Sequence, residues 1–98
     1  MVTEAEVRKA LRAVKDPELN YDLVVLGLIY DIQIEGSHVD VTMSLTSPGC
    51  PVAGEILADA QRTVEGMEGV ESANVELTFN PLWTPERIPS TIRSALGL

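Results

Sequence analysis

Ninety-eight residues with 45% hydrophobic side chains, 22% charged side chains and a formal net charge of −8 describe an acidic, foldable chain rather than a disordered one. That charge argues against nucleic-acid or anionic-membrane partners, and a single cysteine excludes an internal disulfide framework and suits a reducing compartment. The start, Met1-Val2-Thr3-Glu4-Ala5-Glu6, has no secretion-signal pattern, and the longest apolar run, Leu23 to Tyr30, falls short of the ~20 residues that span a bilayer, so one cytoplasmic domain over residues 1–98 is expected.

Thr3 and Glu6 stand at capping-box spacing, with Val2 and Val7 as a hydrophobic staple. Val7, Ala10, Leu11 and Val14 then form one apolar stripe, opposite the solvent-facing Arg8, Lys9, Arg12 and Lys15. Asp16-Pro17 is expected to end this helix, because the residue before proline avoids the helical region. An irregular connection follows, carrying Asp16, Glu18 and Asp22, whose carboxylates are expected in solvent. Leu23 to Leu28 reads as a short buried strand or a loop packed under the sheet, bent at Gly27.

From Ile29 the pattern is strict, with Tyr30, Ile32 and Ile34 alternating against Asp31, Gln33 and Glu35. Gly36-Ser37 is a two-residue hairpin signal, and the return strand points Val39, Val41, Met43 and Leu45 inward and Asp40, Thr42 and Ser44 outward. Val52, Ile56, Ala60, Val64 and Met67 lie at helical spacing, closed by Gly66 and Gly69. A third strand through Ala73, Val75, Leu77 and Phe79 leads to a rigid loop, Asn80 to Pro85, and a short helix from Ser90 to Leu96. The order α-β-β-α-β-α predicts an α+β two-layer sandwich: a small mixed three-stranded sheet with helices on one face.

Thr46-Ser47-Pro48-Gly49-Cys50-Pro51 joins the second strand to the long helix and holds the only thiol. Pro51 fits the first helical position, which places Cys50 at the N-cap with the amides of Val52 and Ala53 near its sulfur. Helix-terminal amides, and the hydroxyls of Thr46 or Ser47, favour a thiolate there; the acidic chain and Glu55 oppose it. The contacting amides are expected to prevail, since the global field is screened over ~8–10 Å. The alternative is a small buried hydrophobe, a common fate of free cysteine.

No phosphate-binding glycine motif is present, and one Cys with one His cannot make a four-ligand zinc site. His38, just after the hairpin, is expected to be exposed and idle, and about seven strand residues of ~3.3 Å each separate it from Cys50. Trp83 reads as a core plug, or else a partner-binding surface.

Asp16-Pro17-Glu18-Leu19, Leu26-Gly27-Leu28-Ile29-Tyr30-Asp31, Thr46-Ser47-Pro48-Gly49-Cys50-Pro51 and Trp83-Thr84-Pro85 occur in the order typical of one family. From about Lys15 to Ile88 the chain resembles the MIP-eighteen-like family, which includes SufT-type proteins of iron–sulfur cluster assembly and PaaD-type accessory proteins of phenylacetate degradation. The resemblance implies the α+β fold also seen in the C-terminal domain of NifU-type scaffolds. It makes Cys50 the functional thiol and candidate cluster ligand, with Thr46, Ser47, Pro48, Gly49 and Pro51 as its supporting turn. Asp16, Glu18 and Trp83 become candidate contacts.

The implied role is non-enzymatic: help in assembling or transferring iron–sulfur clusters, with assembly proteins and apo-client proteins as partners. Clusters usually take four protein ligands, so a transient cluster would be shared between chains, as in a homodimer. PaaD-type proteins typically carry further cysteines near the C-terminus, and their absence favours the SufT-like branch. Val25 stands where members often have a small polar or acidic residue. Two other readings remain: an accessory protein of a multicomponent oxygenase with a structural Cys50, and a thiol enzyme or redox sensor. The latter lacks a resolving cysteine and a base.

Overall fold

The structure, a computed structural model, describes residues 2–16, 20–46 and 53–97. Helix α1 spans Glu4–Leu11. Its capping box is formed, with Glu6 N–H donating to Thr3 Oγ1 at 3.2 Å and Thr3 N–H to Glu6 Oε1 at 3.0 Å. Val2, Val7 and Leu11 are buried beneath it. The helix stops before the stripe does. The N–H groups of Arg12, Ala13 and Val14 each bond a carbonyl three residues back, and Lys15 then bridges Asp22 in antiparallel fashion. Tertiary pairing of residues 14–16 with 21–23 ends α1, well before Pro17 could.

Residues 23–27 take the second of the expected shapes, a packed loop bent at Gly27, wound into one helical turn. Asp22 caps it, its Oδ1 accepting from Val24 N–H at 3.0 Å and Val25 N–H at 2.9 Å. At the other end Gly27 N–H bonds Val24 O and Leu28 N–H bonds Leu23 O, while Gly27 takes φ +72°. That bond pair with a left-handed glycine is a Schellman closure. Leu23, Leu26 and Leu28 are fully buried.

Strands β1 (Ile29–Glu35) and β2 (His38–Met43) pair antiparallel across Gly36-Ser37, with a register shift between Ile29 and Asp31. Strand β3 (Ser72–Leu77) pairs parallel with β2, so the sheet order is β1-β2-β3. Parallel pairing requires a crossover, which helix α2 (Ala53–Glu65) supplies. Helix α1 packs on β1 and α2, and α2 packs on β3. Val39, Val41 and Met43 of β2 meet Ile56, Ala60 and Val64 of α2 in one buried cluster. The opposite sheet face presents Asp31, Gln33, Asp40, Asn74 and Glu76, as the alternation predicts. His38 Nδ1 lies 2.7 Å from Ser72 Oγ, which ties β2 to β3, and its Nε2 3.1 Å from Asp40 Oδ1 within β2.

Residues 78–97 return across the molecule as a strap. A cis Asn80–Pro81 bond leads to a 3-10 turn at Pro85–Arg87 and helix α3 (Ser90–Leu96). Trp83 Nε1 donates to Leu26 O at 2.6 Å, Tyr30 Oη donates to Pro81 O at 3.0 Å, and the Arg87 guanidinium sits 4.4 Å from the Tyr30 ring centre. Ile88 is buried. Gly27 allows this approach, because a Cβ there would lie 2.7 Å from Arg87 Cβ and 2.8 Å from Arg87 O.

Gly27→Ala therefore meets a left-handed φ, costing about 1–2 kcal/mol, as well as a backbone clash. The expected result is a lower urea midpoint and an emission from Trp83, the only tryptophan, moved towards its solvent-exposed value in the folded protein. Unchanged emission would show that Arg87 does not press on Gly27.

Candidate functional site

Six of the residues that the sequence nominates, Glu18, Ser47, Pro48, Gly49, Cys50 and Pro51, lie outside the described residues, and so does the proposed cysteine cap of α2. Described are Asp16, Thr46 and Trp83, together with the chain on either side of the thiol-bearing turn. Helix α2 is described from Ala53, three residues past Cys50.

Asp16 and Thr46 meet. The Thr46 hydroxyl donates to Asp16 Oδ2 at 3.4 Å, joining the segment after α1 to the chain that enters the Cys50 turn. Asp16 is not solvated, contrary to the expectation for this carboxylate, since only 1% of its surface is exposed. Its backbone is fixed as firmly as its side chain. Its N–H donates to Tyr21 O at 3.0 Å and its carbonyl accepts from Asn20 N–H at 2.7 Å. Asn20 itself sits at φ +60°, a conformation asparagine tolerates better than most residues.

Ser44 is the second correction. Alternation places it outward with Asp40 and Thr42, yet it is 0% exposed. Thr42 is only half-buried, so the solvated face of the sheet ends one pleat before Ser44. Ser44 N–H donates to Leu28 O at 2.8 Å, which extends the β1–β2 ladder towards Thr46. Its Oγ has no hydrogen-bond partner, the sole such buried side-chain atom among the described residues. A buried hydroxyl left unpaired costs about 1–3 kcal/mol. Ser44 and Asp16 are also the two buried polar side chains of the described core, and both lie beside the chain entering the Cys50 turn.

Trp83 is half-buried against the core, with its one N–H used inside the molecule. It holds the strap to Leu26, while Leu28 holds Ser44 and Tyr21 holds Asp16. The 21–28 segment thus overlaps one of the four stretches quoted above for the resemblance and anchors two others, at Asp16 and Trp83.

His38 stands at the hairpin end of β2, far along the strand from Thr46. Among the described residues no group of three or more His, Cys, Asp or Glu could hold a metal ion. Asp16 could have been found from sequence as an Asp-Pro loop opposite a strand end; Ser44 could not, because nothing local distinguishes it from Thr42.

Removing the Asp16 carboxylate strands the Thr46 donor. Asp16→Ala should cost about 1.5–3 kcal/mol, the range for hydrogen bonds to charged groups, and Asp16→Asn distinctly less because it keeps an acceptor. Urea unfolding of the two variants checks the order, and equal losses would deny the carboxylate its anchoring part.

Comparison with known proteins follows the same geography. A family model described as "Iron-sulfur cluster assembly protein" matches residues 4–77, from α1 to the end of β3. An Fe-S protein maturation auxiliary factor of Porphyromonas gingivalis is 38% identical over 97% of this chain and 91% of its own. The Fe-S protein maturation auxiliary factor SufT of Staphylococcus aureus is 33% identical over 85% of this chain and 96% of its own. An iron-sulfur cluster carrier protein of Synechocystis is 37% identical over 99% of this chain, which spans only 27% of that longer protein. Among solved structures, a conserved hypothetical protein from Thermotoga maritima superposes with a TM-score of 0.88 at 49% identity, covering 99% of this chain and 96% of that one. This chain belongs to the iron–sulfur cluster assembly family that includes the SufT-type maturation factors.

Proposed function

We propose that this protein is an accessory factor in iron–sulfur protein maturation, and that it acts through Cys50 and protein contacts rather than through an enzymatic turnover of its own. The observation that carries this reading is the Asp16–Thr46 contact. It brings two separate stretches of the family resemblance together where the chain enters the turn that bears the only thiol. The names of the relatives support it, auxiliary maturation factors over 85–97% of this chain and a cluster carrier over part of a longer one.

The cluster is cargo in this account. Thiolates are its usual ligands, and four are usually needed, so one chain with a single cysteine holds a cluster only together with a second copy, a client or assembly protein, or a small thiol. The net charge of −8 suits contact with basic partner surfaces. Cys50 contributes a soft sulfur ligand that can exchange with a client thiol.

Serine caps helices well, so Cys50→Ser should keep the melting temperature within a few degrees while removing the thiol chemistry. In the native host, loss of the protein should lower the activity of iron–sulfur enzymes. Wild-type protein should restore it and Cys50→Ser should not. Full complementation by Cys50→Ser would refute the reading.

A further inference from the structure

We propose that the free edge of β3 docks an extended, basic segment of a partner protein, which joins the sheet as a fourth strand. The site is built from β3 and α2 alone and does not depend on the role proposed for Cys50.

The edge follows from the ladder. Ser72 N–H donates to Ser37 O at 3.4 Å and Thr78 N–H to Met43 O at 2.8 Å, so both point at β2. Backbone groups alternate sides along a strand. Asn74 and Glu76 therefore also face β2, whereas the N–H and C=O of Ala73, Val75 and Leu77 face away from it. Among the described residues no strand lies beyond β3. Val75 bears the direction out, since its N–H donates to the side-chain oxygen of Gln61 on α2 at 3.4 Å. An amide oxygen there stands where the carbonyl of a neighbouring strand would. At that length the contact is weak, and a strand carbonyl can replace it.

The other edge of the sheet is managed differently. Strand β1 carries a register shift, and its Tyr30 holds Pro81 of the strap. Bulges and covering segments are devices that keep an edge unpaired, and β3 pairs in unbroken register.

Charge selects the occupant. Between Leu57 and Thr78 the chain has five carboxylates, Asp59, Glu65, Glu68, Glu71 and Glu76, and one base, Arg62, which is paired with Asp59. Charges along an edge deter copies of the same chain and attract a strand of opposite sign. A second copy would bring the same carboxylates to the seam; a basic segment neutralises them. In a strand added at β3, alternate side chains lie over the open face beside Glu76. The others lie on the helix side beside Val75, next to a shallow depression of about 340 Å³ lined in part by Leu57 and Gln61. The segment that fits alternates Lys or Arg with apolar residues.

Two short, end-blocked peptides test this on the whole chain at physiological ionic strength. One alternates lysine with valine, the other glutamate with valine, and amide NMR shifts with hydrogen exchange read both affinity and place. The lysine peptide should shift and protect the amides of Ala73, Val75 and Leu77, and the glutamate peptide should not bind. Gln61→Ala removes the competing acceptor and should tighten the lysine peptide about fivefold, the worth of one ordinary hydrogen bond. Val75→Pro deletes the central edge N–H, leaves the ladder to β2 intact, and should abolish binding. Glu76→Lys, at an exposed position, should weaken the lysine peptide several-fold and admit the glutamate peptide, which decides the matter even if Val75→Pro does not fold.

Equal binding of the two peptides, shifts confined to other surfaces, or an affinity unchanged in Gln61→Ala overturns the proposal. So does a Gln61→Ala protein that dimerises through β3 and binds neither peptide, because the edge would then belong to a second copy.

Discussion

One helical turn, capped by Asp22 and closed at Gly27, is the constraint on which the rest of the site depends. Its carbonyls and flanking residues reach in three directions. Leu26 O accepts from Trp83, Leu28 O accepts from Ser44, and Tyr21 O accepts from Asp16. Each bond alone is worth about 1 kcal/mol. Together they fix the strap, the strand end and the loop after α1 to one small rigid body. Gly27 is required twice over, for its left-handed backbone and for the space occupied by Arg87. No side chain larger than hydrogen satisfies both demands.

The two ends of the sheet differ in kind. The half of the sheet nearest the hairpin is ordinary, with apolar residues under the helices and a solvated polar face opposite. At the other end the solvated face closes over, and Asp16 and Ser44 are buried there. Burying a carboxylate and a hydroxyl carries a desolvation cost that an apolar pair would avoid. The Asp16 carboxylate offsets part of it through Thr46, whereas the Ser44 hydroxyl has no partner. Stability is given up at the strand end that leads towards Cys50.

The elements whose signals are local were legible in the sequence. Thr3 and Glu6 formed their capping box, Gly36-Ser37 its hairpin, and Gly97 the left-handed end of α3. Alternation found all three strands, because a half-buried sheet writes its two faces into a period of two. Errors arose where a distant segment decides the outcome. Helix α1 stops at Leu11 because residues 14–16 pair with 21–23, and pairing of that kind leaves no trace in a 3.6-residue stripe. Leu23–Leu28 is apolar on every side, so its period could not separate strand from turn; the Asp22 cap with Gly27 was the readable clue. Asp16 and Ser44 looked solvent-facing because burial past the strand end depends on other segments. The four stretches of family resemblance made Asp16 a candidate contact, and the fold supplies its partner, the Thr46 hydroxyl.

The central claim is that Cys50 presents a cluster to other proteins without a single chain being able to hold it. Native mass spectrometry after anaerobic reconstitution tests this most directly. The account predicts that intact cluster mass appears only with two chains, or with one chain plus a partner or small thiol, and that Cys50→Ser removes it. A single chain carrying an intact cluster with no added thiol would contradict it.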